Sequence, residues 1–87
     1  MGLVTGLDYE QSRWFKFDVL CEMLELSDKK SKVLKELVKN PYHTHQEIAD
    51  RLGLPRATEQ HIVDYLFYKL NVKNKIQLRD KIVYLIS

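Results

Sequence analysis

Residues 47–70 read EIADRLGLPRATEQHIVDYLFYKL, and the fold turns on how they are read. Two apolar patterns of helical period meet at Gly53. In the first, Ile48, Ala49 and Leu52 share a face. In the second, Thr58, Ile62, Leu66 and Leu70 do, with Val63 and Tyr65 or Phe67 on the flanks. Gly53 supplies the left-handed residue that a tight turn needs. Pro55 suits the first turn of a helix, where its missing N–H goes unused. A short helix, a turn with glycine and a second amphipathic helix are the parts of a helix-turn-helix. Ala49 is small where the two helices would cross closely.

Working outward, Thr44-His45-Gln46-Glu47 has the spacing of a capping box, which starts the short helix at about His45 and carries it to Leu52. The second helix runs from about Pro55 to Leu70, with Asn71 as an acceptable end. Its outward set is Arg56, Glu59, Gln60, His61, Asp64 and Tyr68. Upstream, Lys29 to Lys39 puts Val33, Leu34, Leu37 and Val38 on one face, with Ser27 as N-cap and Asn40-Pro41 as the stop. Asp8 to Leu26 has no glycine or proline. It spaces Trp14, Phe17, Leu20 and Leu24 as a helix, with Asp8 as a plausible N-cap and Phe15, Val19 and Met23 nearby. This stripe either covers a core or builds an oligomer interface. Residues 1–7 read as a loose leader.

Downstream, Val72 to Ser87 admits two readings. As a helix from about Lys75 it aligns Leu78, Ile82, Leu85 and Ile86. As a hairpin it turns near Arg79-Asp80, pairs strands around Ile76 and Val83, and makes a winged helix. No glycine marks that turn, which favours the helix. The expected fold is therefore all-α. It is a helix-turn-helix bundle of about four helices over 27–87, preceded by a leader and an amphipathic helix over 1–26.

Composition narrows the functional classes. A chain of 87 residues, 45% apolar, holds one small core. Its net charge is only +2, but the distribution is uneven. Through Asp28, only Arg13 and Lys16 face six acids; from Lys29 onward, twelve Lys and Arg residues face six. The basic part coincides with the turn motif. Cys21 stands alone, so no intrachain disulfide or thiol-rich zinc cluster forms, and a cytoplasmic setting fits. No apolar run reaches the roughly 18–20 residues of a membrane span. His43, His45 and His61 are irregularly spaced and make no convincing metal site. There is no phosphate loop or nucleophile elbow, and neither a cofactor nor enzymatic activity is expected.

The chain from Ser27 to about Asp80 resembles the LuxR-type (GerE-type) DNA-binding domain of bacterial transcription regulators. The matching residues are Leu26-Ser27, Val33-Leu34, Leu37, Glu47-Ile48-Ala49, Leu52, Leu54, Thr58, Val63 and Leu66. The most specific part is Lys69-Leu70-Asn71-Val72-Lys73-Asn74-Lys75 followed by Leu78, where the family reads K-L-x-V-x-N-[RK]. The resemblance implies a compact four-helix domain whose third helix enters the major groove and whose fourth pairs two copies, through Leu78, Ile82, Leu85 and Ile86. Glu59 departs from the family, which usually has valine there. A carboxylate at a buried position must tilt outward or cost stability.

The residues themselves supply the contact chemistry. Arg56 reaches guanine or a phosphate, Gln60 an adenine edge, His61 a base or phosphate, and Asp64 cytosine N4. Thr44 and His45 stand at a helix N-terminus that can hold a phosphate. Lys69 and Lys75 are phosphate partners, and Thr58, placed in the inner set, also joins the candidate contacts. Tyr65 and Tyr68 are read as packing residues. The expected partner is double-stranded DNA, bound by a homodimer. The rival reading is a protein-interaction module, an adaptor or antagonist of a transcription factor or polymerase, motivated by Glu59 and Asp64 on the reading face.

Overall fold

The computed structural model describes residues 6–87, with side chains from residue 12 onward. The described residues form five helices: α1 (Gly6–Met23), α2 (Asp28–Lys39), α3 (His45–Leu52), α4 (Arg56–Leu70) and α5 (Lys75–Ile86). No strand occurs among the described residues, so the fold is the all-α bundle that the periodicity predicts. Residues 75–86 are helical, and Arg79-Asp80 lies mid-helix rather than at a hairpin turn. Asn74 starts that helix by accepting a hydrogen bond from the Gln77 N–H at 2.9 Å.

Three helices end in the same way, and this sets the angles between them. After α3, Gly53 takes a left-handed conformation (φ 66°); the Leu54 N–H then donates to the Ala49 carbonyl at 2.9 Å and the Gly53 N–H to Asp50. Asn71 (φ 56°) does the same after α4, with Val72 donating to Phe67. Glu25 (φ 57°) does it after α1, with Leu26 donating to Cys21 and Glu25 to Glu22. In each case a backbone donor closes over a helix carbonyl that would otherwise lack a partner. The end at Glu25 stops α1 at Met23, short of the expected Leu26. The helix already runs at Gly6, so Asp8 lies within it instead of capping it.

The core gathers around α2. Val33, Leu34, Leu37 and Val38 are buried against Ile48 of α3, Ile62, Val63, Leu66 and Leu70 of α4, and Leu78, Ile82 and Ile86 of α5. Ala49 is fully buried in α3, which packs closely on α4. Phe17 and Cys21 of α1 belong to the same cluster, and Trp14, Leu20 and Leu24 pack against it. Burying each of these large aliphatic or aromatic side chains contributes on the order of 1.5–3 kcal/mol before chain entropy is counted. Burial also raises the Cys21 thiol above its ordinary range, as desolvation penalises the thiolate.

The placement of α1 corrects one expectation. Leu78, Ile82 and Ile86 were expected to pair two copies, but they face inward and are covered by α1 and α2 of the same chain. Only Leu85 of that set is exposed.

Candidate nucleic-acid interface

The geometry of α3 is set at its first turn. Thr44 Oγ1 accepts from the Glu47 N–H at 3.1 Å, and Glu47 Oε1 accepts from the Thr44 N–H at 2.8 Å. This reciprocal pair is the capping box. The hydrogen bonds from Thr44 hold the Glu47 carboxyl below its usual range. The end of α3 thus carries its own carboxylate, which already complements the helix dipole.

Glu59 joins this end to α4. It was expected to tilt outward; instead its side chain is fully buried, at 0% exposure. One carboxylate oxygen lies 2.9 Å from Nδ1 of His45, and the other accepts from the Arg56 guanidinium at 3.0 Å. Burial of the carboxylate is tolerated because both oxygens are partnered. The first turns of α3 and α4 therefore meet on one buried side chain. Sequence reasoning missed this role. The available signal was a carboxylate at an inner helical position, three residues after an arginine and fourteen after a histidine.

The solvent side of α4 presents Arg56, His61, Asp64 and Tyr68, with Gln60 half-buried beside them. Positions 57, 61, 64 and 68 form one stripe at helical spacing, and 56 and 60 border it. Gln60 Nε2 donates to Asp64 Oδ1 at 2.9 Å, so these two polar groups are preset as a pair. His61 projects into solvent. Tyr68 was read as a packing residue but is 85% exposed. Tyr65 does pack: it is half-buried, with Lys30 at 4.0 Å and Lys69 at 6.0 Å from its ring centroid. Thr58 is half-buried at the edge of the core.

The expected phosphate contacts separate. Lys69 stays exposed beside Tyr65. Lys75 is half-buried and donates to the His43 carbonyl at 2.8 Å, tying α5 to the loop that precedes α3. Thr44 is occupied by its capping role and His45 by Glu59. Arg56, Gln60, His61, Asp64 and Lys69 thus share the α4 surface, while Thr44, His45 and Lys75 gather where α3 begins. Among the described residues no cluster of three or more His, Cys, Asp or Glu residues could hold a metal ion. No described helix is long and apolar enough to cross a membrane.

Residues 26–63 match a family model described as winged helix-turn-helix DNA-binding. The match spans α2, α3 and α4 as far as Val63, fewer than half of the 87 residues. No curated protein and no solved structure matches the chain. The matched span stops before α5, the place where a wing would stand and where this chain is helical. Together the match and the α3–turn–α4 geometry support a helix-turn-helix DNA-binding domain. They do not single out the LuxR type.

Proposed function

We propose that the protein is a DNA-binding transcription regulator that presents α4 to the major groove. The observation that carries this reading is the exposed polar stripe of α4, held at a fixed angle to α3 by Gly53 and by Glu59. A helix with its side chains fits a major groove about 12 Å wide, and His61, Gln60 and Asp64 offer donors and acceptors suited to base edges. Arg56, braced by Glu59, and Lys69 supply charge at either end of the stripe for phosphate contact. The Lys69–Lys75 segment keeps the LuxR-type assignment as the specific form of this proposal.

Homodimeric binding belongs to the same proposal. With the inner face of α5 filled, Phe15, Val19, Met23 and Leu85 line one exposed apolar hollow that pairing could cover. Phe15 and Met23 are 69% and 75% exposed.

One observation favours the protein-interaction reading. Arg56, the cation in the first turn of α4, is already paired with a buried carboxylate, and Asp64 stands on the same surface. Titrating duplex DNA of about 20 base pairs between about 50 and 200 mM salt separates the two readings. A regulator that neutralises phosphates loses affinity steeply over that range. A log–log slope near zero removes the DNA reading in favour of a protein partner.

A further inference from the structure

We propose a second binding surface: the groove around Trp14, which takes an acidic, partly apolar segment of a partner protein. Two adjoining hollows of about 260 and 420 Å³ share Lys39 and Arg79 in their walls. The first is bounded by Arg13 and Trp14 over a floor of Val38, Val83 and Ile86. The second continues past Tyr42, which is 88% exposed. Lys35 and Lys39 stand 5.0 and 6.0 Å from the Trp14 ring centroid. Among the described residues, no acid lines either hollow. Asp80 approaches Arg79 to 3.9 Å, but its side chain is solvated, and such a pair does little to cancel the charge.

The groove lies away from α4. Lys30 rests on Tyr65 of α4, whereas Lys39 rests on Trp14 of α1. These two lysines are nine residues apart, which at about 100° per residue puts them on opposite sides of α2. A domain holding DNA on α4 would leave the Trp14 groove facing outward. The chemistry of the lining selects the occupant. Lys35, Lys39 and Arg79 attract carboxylates or phosphates equally, but the apolar floor gains nothing from a duplex backbone. An acidic segment carrying Leu or Phe satisfies both the cationic walls and the floor. The inference goes beyond the DNA reading and does not depend on it.

Trp14 is the sole tryptophan, so its emission reports on this groove directly. The test uses the full chain and a synthetic peptide of about ten residues that alternates Asp or Glu with Leu and Phe. Saturable change in Trp14 emission is expected, weakened about tenfold or more in the Lys39→Gln/Arg79→Gln variant. A control peptide with Gln in place of every acid should give no response. Both substituted residues are exposed, so far-UV helicity should be unchanged. The proposal is overturned by an absent response or by an equal response to the Gln peptide. It is also overturned if duplex DNA displaces the peptide and loses affinity in the same variant, since the groove is then a nucleic-acid surface. A peptide response without any duplex binding contradicts the DNA reading and leaves this one standing.

Discussion

The carboxylate of Glu59 lies 2.9 Å from Nδ1 of His45, so α4 grips the first turn of α3 from inside the protein. The same carboxylate holds Arg56 at 3.0 Å. A helix-turn-helix needs a fixed angle between its two helices, and here that angle rests on a buried polar contact in addition to apolar packing. Glu59→Ala leaves Arg56 without its partner and opens a void, and should cost about 3 kcal/mol. Glu59→Gln keeps the shape and an acceptor for Arg56, and should cost less than about 1.5 kcal/mol. Urea denaturation of the two variants checks this. Equal, negligible losses for both would show that the contact holds nothing.

Gly53 makes a cleaner backbone test. Its φ is 66°, and a Cβ built there meets nothing within 4 Å. The cost of Gly53→Ala is therefore conformational alone, about 1 kcal/mol, and Gly53→Asn should cost less because asparagine tolerates the left-handed region. A loss above about 3 kcal/mol in thermal melts would mean that the turn is crowded in a way this geometry denies.

The sequence was most legible where a residue type has a single structural use. Thr44 and Glu47, Gly53, Ser27 and Asn71 marked helix ends at or within a residue of their observed places. The buried faces of α2 and α4 followed from spacing. What escaped was set by tertiary contact. Glu25 ends α1 in a left-handed conformation normally marked by glycine or asparagine, so nothing local announced it. Leu78, Ile82 and Ile86 had the pattern of an exposed apolar seam, but the pattern does not say which surface covers it, and α1 does. Glu59 looked misplaced because its partners, Arg56 and His45, are brought together only by the fold. If Glu25 is held there by the helix ending and not by its own preference, Glu25→Gly should stabilise the protein by about 0.5–1 kcal/mol in denaturant melts. A destabilised variant would show that the Glu25 side chain has a role of its own.

Glu47 predicts a dependence on pH with a definite sign. Hydrogen bonds from Thr44 lower the pKa of its carboxyl in the folded state. A lowered folded pKa means stability that is fully present above the unfolded value and lost as pH falls through the folded one. Melting temperatures recorded from neutral to acid pH should therefore drop less steeply for Glu47→Gln than for the parent, since the variant has no such proton to take up. Parallel curves would show that the capping box does not couple to stability.

The central claim is that α4 reads DNA sequence, and the most direct measurement compares two duplexes. One is the site recovered from a randomised pool by the parent protein; the other is the same length with that site scrambled. Replacing Gln60 and His61 together by alanine should weaken binding to the recovered site by about 1–3 kcal/mol for each base edge that these side chains read, and leave the scrambled duplex almost unaffected. Equal weakening on both duplexes, or none on either, would contradict the account.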